Sequence, residues 1–302
     1  MTSPVARAAG ASFTIAPPGY QLPADLRLGP VRLQVGDLAG SVAYYERVIG
    51  LRALARTTTT AVLGAHDDDR PLVELHERAG ATPVPRRGRL GLYHFAILLP
   101  DRAALGRFVA HLSSINEYAG MSDHLVSEAI YLTDPDGLGI EVYADRPRSS
   151  WRIQGRSIAM ATLPLDAENL VRAGGNERWT GAPRGTRIGH VHLHVSDLDS
   201  AAAFYHAGLG FDKVLLDLPS ALFLSAGGYH HHLGTNTWAA GAAVATDDDA
   251  RLLEWTVRLP SELDVRDAAQ SLTGAGYQVT SDAKDSVTVD PWGTRVRLTT
   301  SG

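Results

Sequence analysis

Val31-Arg32-Leu33-Gln34-Val35-Gly36-Asp37-Leu38 alternates apolar and polar residues and then breaks at Gly-Asp, which predicts a strand running into a turn. Ser41 to Ile49 follows with Val42, Tyr45 and Val48 on one helical face, closed by Gly50 as a C-terminal stop. The pattern returns in the other half of the chain. His190 to Asp197-Leu198 repeats the strand and turn, Ala201 to Leu209 the helix, and Gly210 the stop. Tyr44-Tyr45 matches Phe204-Tyr205, and Ile49-Gly50-Leu51 matches Leu209-Gly210-Phe211.

Two weaker copies complete the set. Tyr93 to Leu99 is a strand, Pro100-Asp101 a turn and Ala103 to Leu112 a helix; Leu253 to Leu259, Pro260-Ser261 and Val265 to Leu272 repeat them before Gly274. Each finishes with an Asp-Pro turn closed by Gly, then a last strand: Asp134 to Gly137 before Ile140 to Tyr143, and Asp290 to Gly293 before Val296 to Thr299. Short β-like runs such as Thr58 to Leu63, Leu72 to Leu75 and Ala221 to Ser225 fill the intervals. The chain therefore reads as α+β, with four units of strand, helix and three strands (βαβββ). The boundaries are an N-terminal arm (1–27), a first half (28–145, units 28–78 and 90–145), a connector (146–187) and a second half (188–302, units 188–240 and 250–300). The arm, with Pro17-Pro18 and Pro23, reads as extended. The connector is rich in Arg, Gly and Pro, holds one helical piece at Ala167 to Arg172, and is predicted to pack on the surface.

The 302 residues, 44% hydrophobic, are ample for two or more small cores. A net charge of −5 without a long basic run argues against nucleic acid as a partner, and Arg86-Arg87-Gly88-Arg89 reads as a solvated loop. Cysteine is absent, so any metal must be held by His and carboxylate. No apolar run approaches the roughly 20 residues that span a bilayer, and Met1 to Ala16 lacks the layout of a secretory signal. The expectation is a soluble cytoplasmic protein without membrane association; a homo-oligomer is compatible with the sequence.

Three polar residues sit on predicted strands where apolar ones belong. His94 lies on Phe95-Ala96-Ile97-Leu98-Leu99, Glu141 within Ile140-Glu141-Val142-Tyr143, and His190 in His190-Val191-His192-Leu193-His194. Alone, His94 reads as a hydrogen-bonded core histidine and Glu141 as an outward residue of an alternating strand. Together they offer two imidazoles and one carboxylate, a set that suits a metal with three adjacent open positions. His190, His192 and His194 share a strand face, read as one ligand and two structural histidines.

The four units, the "DL…FY…LG" pattern and the "DPDG…E" ending resemble the vicinal oxygen chelate superfamily, and within it the bacterial two-module extradiol ring-cleavage dioxygenases of the catechol-2,3-dioxygenase type. The likeness runs from about Leu28 to Thr299 and is most specific at Gly91 to Asp101, Gly189 to Val195 and Gly227 to Gly234. It implies two modules, each a curved mixed sheet around a cavity. It also implies a metal ligand seven residues before each turn aspartate, which falls on Pro30, His94 and His190, and on Glu254 in the fourth unit. The family's carboxylate falls on Glu141 in the second unit and Arg297 in the fourth, while Glu74 in the first faces Pro30. The complete set, His94, Glu141 and His190, joins the second unit to the third, whereas better-known members draw theirs from consecutive units of one half. The metal module is thus expected from units 90–145 and 188–240, with units one and four forming the other.

The resemblance further implies Fe(2+), with Mn(2+) or another divalent ion as alternatives, and a small aromatic diol and O₂ as reaction partners. It aligns His231, in Tyr229-His230-His231-His232, with an acid/base histidine; strand alternation would turn His230 and His232 the other way, and a structural cluster is the competing reading. A catechol must lose protons to chelate a metal, and a histidine titrating near neutrality suits that task. Tyr131, ten residues before Glu141, matches a tyrosine that hydrogen-bonds substrate oxygens, and His124 a second active-site histidine. Trp238 and Tyr143 are candidates for lining the pocket, with plain core as the alternative for Trp238. The rival functions are another metalloenzyme of the superfamily, such as a glyoxalase-like isomerase or lyase, and a non-catalytic aromatic- or antibiotic-binding protein.

Overall fold

The computed structural model describes residues 14–155, 157–215, 218–282 and 284–300. The first unit contains β1 (Arg27–Val35), α1 (Leu38–Tyr44), β2 (Arg52–Arg56), β3 (Thr60–Gly64) and β4 (Pro71–Glu77). The second contains β5 (Gly91–Leu98), α2 (Arg102–Ser114), β6 (Gly120–Asp123), β7 (Ser127–Thr133) and β8 (Gly139–Asp145). The connector carries β9 (Ile153–Gln154), β10 (Ser157–Ile158) and α3 (Ala167–Ala173). The third unit contains β11 (Arg187–His194), α4 (Leu198–Ala201), β12 (Asp212–Leu215), β13 (Ala221–Ser225) and β14 (Leu233–Asn236). The fourth contains β15 (Arg251–Leu259), α5 (Glu262–Gly274), β16 (Val279–Ser281), β17 (Ser286–Val289) and β18 (Arg295–Thr300).

The repeated turn residues have one job. The side chains of Asp37, Asp101, Asp197 and Ser261 accept hydrogen bonds from the first backbone N–H groups of α1, α2, α4 and α5, so each marks a helix start. α1 and α4 each run on into a wider π-helical turn, and the first of these ends at Gly50 with φ +77°. The Asp-Pro turns use a second device. Asp134 accepts from the backbone N–H of Asp136 and Leu138 and from the Tyr45 hydroxyl at 3.2 Å; Asp290 accepts from Trp292, Thr294 and the Tyr205 hydroxyl at 2.7 Å. The tyrosine of each repeated aromatic pair thus reaches from its own unit into the next.

The strands form two eight-stranded mixed sheets, ordered β12-β13-β14-β11-β5-β8-β7-β6 and β16-β17-β18-β15-β1-β4-β3-β2. The second and third units share the first sheet through the antiparallel β5–β11 ladder; the first and fourth share the other through β1–β15. Side-chain alternation divides β5. Phe95 and Ile97 enter the main apolar core with Val191 and Leu193 of β11, while Ala96 and Leu98 pack on the opposite face with Ala129 and Tyr143. His94 and His190 follow the phase of that opposite face.

The described part of the arm is anchored: Ile15 bridges Lys213, and Leu22 and Leu26 are buried. Residues 1–13 of the predicted arm lie outside the described residues. Among the described residues, no helix is long and apolar enough to cross a membrane.

Candidate metal centre

β5, β8 and β11 are neighbours, and they bring three side chains to one point. Ala96 pairs with Glu141 across β5–β8, and His192 with His94 across β5–β11, so His94, Glu141 and His190 cluster on one face. His94 Nε2 lies 3.0 Å and His190 Nε2 3.1 Å from the same Glu141 oxygen, Oε2, and the two nitrogens are 3.3 Å apart. All three residues are buried. Adjacent corners of an octahedron with bonds of about 2.1 Å lie ~3.0 Å apart, and corners of a tetrahedron ~3.4 Å. The spacing fits three neighbouring octahedral positions better.

Charge points the same way. Burial pushes Glu141 toward its neutral form, but the His190 and His94 imidazoles beside it hold it well below the ordinary carboxylate range. Burial pushes His94 down, toward the neutral imidazole that ligates metals, although Glu141 opposes this. Among the described residues Glu141 has no Lys or Arg partner; its only ion-pair contacts are the two histidines. A buried carboxylate with no Lys or Arg beside it leaves a charge for a cation to balance.

The cluster opens into a cavity of about 720 Å³ that also meets Tyr131, His124 and His231. Tyr131 stands opposite Glu141 in the β7–β8 ladder. Burial, then the Glu141 charge, raises its pKa far above the ordinary value, so it stays a phenol. His124 occupies the β6–β7 turn, where Nδ1 lies 2.6 Å from the Ala161 carbonyl and Nε2 2.6 Å from the Tyr131 hydroxyl. The carbonyl only accepts, so Nδ1 carries a proton, and Nε2 shares a hydrogen bond with the Tyr131 hydroxyl.

His231 faces the same cavity, its ring 4.1 Å from that of His190. It does not join the three-residue cluster. Burial, then the neighbouring His190 and His230, pushes its pKa well below the ordinary value, so it is a neutral base rather than a group titrating near neutrality. His192 and His194 are both tied to Asn236: its amide nitrogen lies 2.9 Å from His192 Nε2 and its oxygen 2.7 Å from His194 Nδ1.

Three expectations need correction. Tyr229 to His232 is not a strand but a bent segment ahead of β14, so alternation does not decide which histidine faces inward. Tyr143 does not line the cavity; it is wholly buried beneath it with its hydroxyl 2.7 Å from that of Tyr229. Trp238, by contrast, does line the cavity, standing 53% exposed at its rim, and its alternative reading as core falls away. The connector is not confined to the surface: Gln154, Ile158 and Met160 help to roof the cavity. Two-residue strands leave no periodicity to read. Asp145, four residues beyond Glu141, was also missed; the signal available was a carboxylate ending a strand beside a histidine run.

The model of the glyoxalase/bleomycin resistance protein/dioxygenase superfamily matches residues 27–142 and 187–296. A catechol-2,3-dioxygenase of Bacillus subtilis (strain 168) is 45% identical over 270 residues, which is 88% of this chain and 94% of the relative. Among solved structures, a provisionally assigned dioxygenase from Bacillus subtilis subsp. subtilis str. 168 aligns with a TM-score of 0.62 and 16% identity, covering 90% of this chain and 84% of the other. Glyoxalase I from Zea mays aligns with a TM-score of 0.54 and 19% identity, covering 91% and 92%. At such identities the two structures speak for the fold.

Proposed function

The chain belongs to the glyoxalase/bleomycin resistance protein/dioxygenase superfamily, and on that premise we propose that it is an extradiol dioxygenase that opens a catechol-type ring with O₂. The observation that carries the reading is the convergence of His94, Glu141 and His190, at 3.0 to 3.3 Å from one another, at the wall of a 720 Å³ cavity. These three residues would hold Fe(II), which would supply redox chemistry toward O₂.

The protein's own groups do the rest. Tyr131, held by His124, presents its hydroxyl beside Glu141 and orients a substrate oxygen. His231 takes a proton from the diol on the other side of the histidine pair and returns it later. Phe223, Tyr93 and Trp238 give the cavity aromatic edges against which a ring packs. The 45% identical relative, named a catechol-2,3-dioxygenase, supports the same reaction class.

The decisive experiment is anaerobic reconstitution with Fe(II), followed by oxygen-electrode assays over a panel of catechols. Oxygen uptake with a yellow ring-opened product is expected for at least one diol and not for the corresponding monophenols. A fully iron-loaded protein that consumes no O₂ with any diol would overturn the reading.

A further inference from the structure

Behind His231 runs a line of buried polar groups. His230 Nδ1 lies 2.8 Å from His231 Nδ1, and His230 Nε2 lies 2.8 Å from Asp145 Oδ1. Asp145 also accepts from the Tyr229 hydroxyl at 3.1 Å, and its side chain keeps 25% of its surface exposed. His230 is wholly buried, so its ring nitrogens have no solvent to turn to.

With both rings in the neutral form, these contacts leave one consistent arrangement of protons. A carboxylate oxygen only accepts, so His230 Nε2 donates to Asp145. The other nitrogen of a neutral His230 is then a lone pair, and the short contact between the two Nδ1 atoms requires His231 to donate across it. With its proton on Nδ1, His231 has a bare Nε2.

We propose that Asp145 and His230 are positioning residues which hold His231 in the tautomer with an unprotonated Nε2, ready to receive the diol proton. The inference rests on the dioxygenase reading for its substrate, but the tautomer itself does not. When Nε2 accepts a proton from a substrate O–H, that bond breaks and the N–H bond forms, and the resulting positive ring is faced by His230 and, beyond it, the Asp145 carboxylate. The arrangement parallels other sites in which a buried carboxylate fixes which imidazole nitrogen works.

Two measurements test it. Nitrogen-15 shifts of labelled histidines in the Zn(II)-loaded protein report the tautomer without any turnover. The expected result is His231 protonated at Nδ1 in the native protein and redistributed toward Nε2–H in His230→Leu. An Nε2–H tautomer in the native protein overturns the proposal, even if the variant fails to fold. In Fe(II)-loaded enzyme, Asp145→Ala and His230→Leu should each lower kcat roughly 10- to 100-fold with KM and metal content unchanged. In a His231→Ala background the same changes should lower kcat no further. An equal fall in that background, or loss of the metal, would assign the pair a merely structural role. Absence of dioxygenase activity in the native enzyme would sink the proposed function, while the nitrogen-15 result would still decide the tautomer.

Discussion

At the centre of one sheet, His94 and His190 close on Glu141; at the matching points of the other stand Glu254, Pro30 and Arg297. The correspondence follows from register. Glu141 pairs with Ala96, two residues beyond His94, just as Arg297 pairs with Thr256, two beyond Glu254. His192 pairs with His94 as Arg32 pairs with Glu254. Both places bury a glutamate, but they answer its charge differently. Glu254 is held by Arg297 at 2.8 Å, Arg32 at 3.5 Å and Arg295 at 3.6 Å, so the protein neutralises it alone. Among the described residues, Glu141 has no ion-pair partner but the two imidazoles. One fold thus makes either a closed ion-pair network or an open cation site, and the choice lies in a few side chains on the same scaffold.

The comparison breaks most readily at its ligands. His94→Ala, Glu141→Ala and His190→Ala should each reduce bound iron to background and abolish turnover, since two ligands hold a divalent ion poorly. Stoichiometric iron in all three variants, read by elemental analysis, would refute the site. Next in size, His231→Ala should keep the iron and lower kcat by about 10²- to 10⁴-fold. Loss of metal instead would make His231 a fourth ligand and bring the isomerase rival forward.

The closed module should respond in stability rather than chemistry. Glu254→Ala removes the carboxylate shared by Arg297, Arg32 and Arg295; Arg297 keeps Asp285 and Arg32 keeps Glu74, so the cost is about 1–3 kcal/mol once their partial exposure is allowed for. Denaturant melts should show this loss with iron content unchanged; a fall in iron would mean that the two modules are coupled. Tyr131→Phe removes one oriented hydroxyl and should lower kcat/KM by about 10-fold, while His94 and Glu141 stay loaded.

The last effect concerns the turns that both modules share, and it is small at any one pH step. Burial pushes the Asp134 pKa up to about 7 from its ordinary value near 3.8. Between those values the folded state binds more protons than the unfolded one, so stability falls as pH rises through that window, by on the order of 1 kcal/mol per pH unit. Asp134→Asn keeps an acceptor for the backbone groups and should flatten the slope. An unchanged slope in denaturant titrations at pH 4.5 to 7 would assign it to other groups, with Asp290 of the matching turn first among them.

The four-unit plan was legible because the units mark their joints: a capping Asp or Ser at each helix start, glycines at three of the four helix ends, and Asp-Pro turns before the last strands of the second and fourth units. The union of the second and third units was legible only through the three ligand candidates, since nothing in β5 or β11 alone names its neighbour. Other features leave no local trace. Arg, Gly and Pro compose a cavity roof as readily as a surface loop, which hid Met160 and Ile158. A histidine run beside a strand reads as part of it, and alternation then turns His230 away, whereas it stands behind His231. Why Glu254 and Arg297 replace a ligand set was visible as a mismatch with the family's spacing; that they neutralise each other required the register.

Each sheet takes one unit from each half of the chain, and the connector alone joins those halves covalently. A nick in the exposed stretch after Asn176, beyond the segment that roofs the cavity, would leave His94 and Glu141 on one fragment and His190 on the other. Iron binding would then become a bimolecular readout: neither fragment holds a complete ligand set, and metal occupancy would rise with fragment concentration as the β5–β11 ladder re-forms. The interleaving that builds one centre inside one chain would serve as a split reporter of reassembly.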